Sequence, residues 1–271
     1  MCKTVTYPSR RYWKWSCVAL MLALLSLGSP QSFAQGKGMQ HIKFRKVIDL
    51  SHVITPNIPL WPGDPAVEFT TEANFDTDGY YLRSFRIGEH SATHMNAPNS
   101  FHADGIGIDQ YEPESLVRPA VVIDVRDKVR HNDDYVIDKS DVLDWERRYG
   151  RIKPGTLVLF YTGWQERWHD PIAFMNEDGQ GLHFPGIGGE TTRFLLDERR
   201  IAGVGIDTHG TDPGLDESFA TNTQVLARNG IILENLTNLD QLPAKGTTVV
   251  IGILRLQEGS GSPVSVMAFV P

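Results

Sequence analysis

Apolar positions in this chain gather into short runs punctuated by Gly, Pro, Asn and Asp, and their spacing predicts strands more often than helices. "KVIDLS" at 46–51 reads as a first short strand, followed by the proline-punctuated loop "HVITPNIPLWPGDP" with a turn at Gly63 and Asp64. "YYLRSFRIG" at 80–88 alternates as a strand should and is expected to run straight into a histidine-rich stretch. "AVVIDV" at 120–125 and "TLVLFYTGW" at 156–164 are continuous apolar runs, the pattern of central strands covered on both faces. "IAGVGID" at 201–207, "IILENL" at 231–236, "TTVVIGILRL" at 247–256 and "PVSVMAFV" at 263–270 read as further strands. Helices are expected over "DVLDWERRY", capped by Ser140 and ended by Gly150, over "ETTRFLLDERR", and over 218–229 up to Gly230. The alternation predicts an α/β, strand-rich single domain over residues 35–271, with loops after strands converging on one site.

The first 34 residues stand apart. A basic segment with Arg10, Arg11 and Lys14 precedes the apolar run from Cys17 to Gly28 and the small residues Ser32 and Ala34, the layout of a cleaved signal peptide. "SRRYWKW" loosely resembles a twin-arginine export signal. The expectation is cleavage after Ala34 and a periplasmic or secreted protein. Both cysteines, Cys2 and Cys17, fall in this segment, so the mature chain has no disulfide, cysteine nucleophile or thiolate ligand. Removing Lys3, Arg10, Arg11 and Lys14 from 26 basic residues leaves 22 against 33 acidic ones, a net charge of −11. That balance argues against a nucleic-acid or anionic-membrane partner.

The chemistry concentrates in "EHSATHMNAPNSFHADG" at 89–105, where His90, His94 and His102 crowd together. If 90–96 is extended, His90, Ala92, His94 and Asn96 share one face and present nitrogen and oxygen donors to Zn²⁺ or Mn²⁺. Spacing alone leaves a polar surface loop equally open.

This stretch resembles the H-x-G-T-H-x-D-x-P-x-H signature of the cyclase family, which includes kynurenine formamidase and isatin hydrolase. "DLSHVITPNIPLWPGDP", "HFPGI" at 183–187, "GVGIDTHGTDPG" and "ILENLTNLDQLP" resemble family segments in the same order. The resemblance implies a swivelling β/β/α fold, a homo-oligomer (dimer or tetramer), and a divalent metal, zinc or manganese, on His90, His94 and Glu234. It also implies that Trp61 helps cover the substrate.

Four positions depart from the family pattern. Ala92 replaces its glycine, harmless unless that backbone needs a positive φ. Asn96 replaces the ligand aspartate and offers only a neutral amide oxygen to the metal. Ser100 stands where the catalytic histidine belongs, and a serine hydroxyl is no general base near neutral pH. Asn222 replaces a histidine expected before Glu234. His209 or His102 could take over proton transfer, whereas Asp207 and Asp212 are read as fixing their loop. Phe101, beside the altered Ser100, and Asn222 join Trp61 as candidate substrate contacts. The expected activity is metal-dependent hydrolysis of an amide or lactone-like bond in a small aromatic or cyclic substrate. A catalytically altered binding protein and a metal-dependent lyase or isomerase stand as alternatives.

Overall fold

The computed structural model describes residues 41–271, so the expected leader and its cleavage site lie outside the described residues. In chain order come β1 (Lys46–Asp49), β2 (Glu68–Ala73), β3 (Leu82–Arg86), β4 (His94–Asn96), β5 (Val117–Asp124), α1 (Lys139–Tyr149), β6 (Leu157–Tyr161), α2 (Gly189–Phe194), β7 (Gly203–Ile206), α3 (Ala220–Leu226), β8 (Ile231–Glu234), β9 (Lys245–Ile253) and β10 (Gly261–Val270). The class is α/β and strand-rich, as expected. Among the described residues no helix is long and apolar enough to cross a membrane.

One sheet runs β1-β10-β9-β5-β6-β7-β8-β4, and β4 pairs back onto β10, so the sheet closes on itself. Strands β5 to β8 are parallel neighbours, as their two-sided apolar runs predict. Closure depends on the length of β10. Gly261–Pro263 pair with β4, while Met267–Val270 pair with β1 along the same edge. The closed ring removes an edge that would otherwise expose unpaired backbone groups.

Strand periodicity divides the apolar side chains between two cores. Leu157, Leu159 and Tyr161 of β6 join Val249, Ile251 and Val266 inside the ring. Val158 and Phe160 point the other way and pack with Trp145, Phe194 and Val225 from the helices. Met95 belongs to the inner core, so its neighbours His94 and Asn96 face the helical side.

Five sequence expectations change. Asp138, not Ser140, caps α1, because its carboxylate accepts from the Ser140 and Asp141 amides. The predicted helix at 190–200 is α2 continued by a π-helical turn, Leu195–Arg199, and α3 is shorter than 218–229 because Asp216 holds Ser218 in a turn. The strand at 80–88 shrinks to β3, pairs only with β2, and is exposed throughout, so it does not run straight into the histidines. Finally, Ala92 has φ +56°, which breaks the extended run and removes His90 from the strand that carries His94 and Asn96.

Two stability predictions follow from the backbone and from a buried ring. Ala92→Gly should raise unfolding stability by about 1 kcal/mol, because glycine occupies the left-handed region without the Cβ penalty; unchanged or lower stability in a denaturant titration would contradict the strain. His52 stacks on Trp168 with ring centroids 3.8 Å apart and 9° between planes. Its Nε2 is buried without a partner, and burial, then nearby His169, push its pKa down to about 3. The unfolded chain therefore takes up a proton near pH 6.5 that the folded chain refuses until about pH 3, so stability should fall as pH drops through that window. His52→Phe keeps the stack and should make the acid slope shallower by up to about 1.4 kcal/mol per pH unit between pH 4 and 6. An identical slope in wild type and variant would refute the linkage.

Candidate active site

The site forms where the closing strand β4 meets β8. Glu234 and His94 lie directly opposite in the antiparallel register, and both face the helical side. Glu234 Oε2 is 2.9 Å from His94 Nε2, with both side chains almost wholly buried. His94 Nδ1 donates to the Ala92 carbonyl at 2.9 Å, so Nε2 is the nitrogen presented to the carboxylate. A lone pair facing a carboxylate at that distance needs a proton or a metal cation between them. Burial would push Glu234 upward, but His94 and the Thr211 amide hold it down to about 2.

Glu234 Oε1 accepts from the Thr211 amide at 2.9 Å and from Asn222 Nδ2 at 3.4 Å. Asn222 Nδ2 also donates to Asp212 Oδ2 at 3.0 Å. Carboxylates only accept, so Asn222 must turn its oxygen the other way, where Asn96 Nδ2 donates to it at 2.9 Å. Asn96 in turn offers its oxygen to His90 Nδ1 at 2.9 Å, which places the proton on that nitrogen. The expected metal oxygen of Asn96 is thus committed to orienting His90. His90 Nε2 faces Ser260 Oγ at 2.9 Å, and Ser260 is held by Glu89 through its amide and hydroxyl, both at 2.7 Å. A Cβ at Gly261 would come within 2.7 Å of His90 Cε1, so glycine lets the ring lie against β10.

The donor chemistry fits a metal, incompletely assembled. Both His90 and His94 have Nδ1–H fixed on an oxygen, leaving Nε2 as the available donor, the arrangement typical of metal-binding imidazoles. Yet among the described residues no three His, Asp or Glu side chains already converge on one point. His90 would have to release Ser260 to join His94 and Glu234.

These groups line a cavity of about 420 Å³, together with Trp61, Ser100, Phe101 and His209. A larger groove of about 650 Å³ lies between Val136–Ser140 and Gly188–Glu198, but it holds no histidine. His209 is buried, its Nε2 has no partner, and burial, then His94, push its pKa down to about 4. Trp61 lies beside it, ring centroids 5.4 Å apart. Ser100 spends its hydroxyl on the Ala97 carbonyl at 2.6 Å. His102 is directed elsewhere: its Nε2 bonds the Thr223 carbonyl at 2.9 Å, and the ring is not part of the cavity wall. Asp207 accepts from the Thr162 amide and hydroxyl and the Gly163 amide, and burial raises it to about 6. Asp212 receives the Thr221 and Asn222 amides. Both therefore fix loops, as their turn context predicts.

Sequence reading missed Asp64, Thr211, Glu89 and Ser260. Asp64 lines the cavity with Oδ2 buried and unpaired, and burial raises its pKa despite nearby His90 and His94. Its signal was an acid three residues after Trp61 in a loop stiffened by Pro and Gly. Ser260 and Glu89 gave none, because they meet His90 only through the pairing of β10 with β4.

The sequence pattern of the Cyclase family matches residues 48–213. Isatin hydrolase of Roseibium aggregatum is 32% identical over 262 residues, spanning 90% of this chain and 99% of its own length. Kynurenine formamidase of Salinibacter ruber is 26% identical over 221 residues, 80% of this chain and 94% of its own. The solved structure of isatin hydrolase A from Ralstonia solanacearum has a TM-score of 0.80 and 34% identity, covering 83% of this chain and 92% of that one. With the family's pattern matched over more than half of its length and a relative 32% identical over 90% of it, this chain belongs to the cyclase family.

Proposed function

We propose that this protein is a hydrolase of amide or lactone-like bonds in small aromatic or cyclic molecules, working with one divalent ion, zinc or manganese. The observation that carries the reading is the buried His94–Glu234 pair at 2.9 Å, in a chain similar in sequence and fold to isatin hydrolases. His94 and Glu234 would hold the ion, with His90 as third ligand once it leaves Ser260. A bound divalent ion supplies Lewis acidity toward the scissile carbonyl and acidifies its water. His209 is neutral and unpaired at neutral pH, so its Nε2 can accept the proton of the attacking water. Trp61 and Phe101 supply apolar cover for a ring. The signal-like N-terminus supports placing this activity in the periplasm or outside the cell.

A second reading, a binding protein without turnover, draws support from the Asn96–Asn222 bridge, in which the two amides satisfy each other without an ion, and from the occupied Ser100 hydroxyl.

Metal analysis and turnover separate the two. Wild type should retain near-stoichiometric zinc or manganese and open isatin or a formyl anilide, while His94→Ala, which removes a proposed ligand, should lose metal and activity together. His209→Gln should keep the metal and lower kcat by about 10²–10⁴-fold. Unchanged turnover in His94→Ala would remove the site, and tight ligand binding without metal or turnover would establish the second reading.

We also propose self-association through the β2–β3 hairpin, where Phe75, Tyr80, Tyr81, Leu82 and Phe85 are all exposed, far more apolar surface than isolated surface residues present. Sedimentation velocity should show a homo-oligomer that Phe85→Asp with Tyr81→Asp reduces to monomer; a wild-type monomer at micromolar concentration would dismiss this assignment.

A further inference from the structure

We propose that the cavity selects positively charged aromatic ligands, so that the substrate is an aromatic or cyclic amide or ester bearing an ammonium or amidinium group. This deepens the hydrolase reading and rests on it. Five carboxylates line the cavity, Asp64, Asp212, Asp216, Glu217 and Glu234, and no lysine or arginine is among its lining residues. The positions departing from the family signature, Asn96 and Asn222, are neutral and cancel none of this charge. The five acids also outnumber the two charges of one divalent ion. Asp216 and Glu217 sit at the mouth in the same loop as Phe219, whose ring meets Phe101 at 5.8 Å, each phenylalanine 39% exposed. Deeper in, Trp61 meets Phe184 at 6.3 Å. Aromatic faces beside carboxylates recognise a cation on an apolar body.

A second observation, at His209, is independent of the acids. His209 is only 4% exposed, yet its Nε2 has no hydrogen-bond partner, and it lines the cavity. Asp64 Oδ2 is likewise buried and unpaired. Both atoms lack a partner: Asp64 Oδ2 is free to accept from a ligand's ammonium, while His209 Nε2 remains free for the attacking water. An anionic ligand would bring no donor and would meet like charge at the mouth.

Calorimetric titration of the full chain, with and without added zinc, should rank three matched probes: 2-phenylethylammonium tightest, 2-phenylethanol next, phenylacetate weakest. The double variant Asp216→Asn, Glu217→Gln should narrow the gap between cation and alcohol by roughly tenfold while leaving the alcohol unchanged. Salt at 1 M should narrow it as well, since the screening length falls to about 3 Å. Phenylacetate binding as tightly as the cation, a gap untouched by the double variant, or no binding of any probe at millimolar concentration would each overturn the inference. Turnover is read separately. Cation preference without hydrolysis of any substrate would defeat the hydrolase reading alone, whereas hydrolysis of neutral isatin without charge preference would defeat this inference alone.

Discussion

A buried carboxylate needs strong partners, and the way Glu234 obtains them organises this end of the molecule. Desolvation opposes its charge, yet it stays ionised because His94, the Thr211 amide and Asn222 converge on it. His94 can reach it only because β4, three residues long, is clamped between β8 and β10 with His94 opposite Glu234. Ring closure and site assembly are therefore one event. A slip of one residue in β4 would turn His94 into the inner apolar core and bring Met95 to the carboxylate, leaving a buried charge unpaired.

The sheet was readable because its strands obey a simple rule. Runs such as "LVLFY" carry apolar residues on both faces, and each face found its own core. Helix limits were less readable, since a carboxylate two residues upstream of Ser140 competes for the same cap. The exposed hairpin misled for a related reason: β3 alternates like a half-buried strand, but its apolar face meets no core among the described residues. Within the site, the residues on β4 and β8 were legible from spacing and family resemblance. His90 was identified, but not its setting. A positive φ at Ala92 rotates it away from β4 and onto Ser260, a partner 170 residues distant in sequence. No local pattern encodes such a contact.

The replacements at Asn96 and Asn222 keep the geometry of a hydrogen-bonded cluster while changing its charge. An amide both donates and accepts, so two of them in series can pass direction from Glu234 and Asp212 to His90 without either end titrating. A carboxylate at 96 would accept from His90 equally well, but could not donate to Asn222, so the amide at 222 depends on the one at 96. The pair fixes the tautomer of His90 and leaves the pocket's unpaired acceptors elsewhere, on His209 and Asp64. Those unpaired atoms sit on two loops flanking the signature strand, one at "PGDP" and one at "DTHGTD", whose conformations are set by proline, glycine and the buried Asp207 and Asp212. Loops anchored in this way can change their side chains without disturbing β4 or the ring that holds it, which is how a scaffold can keep its closed sheet and still present a differently charged pocket.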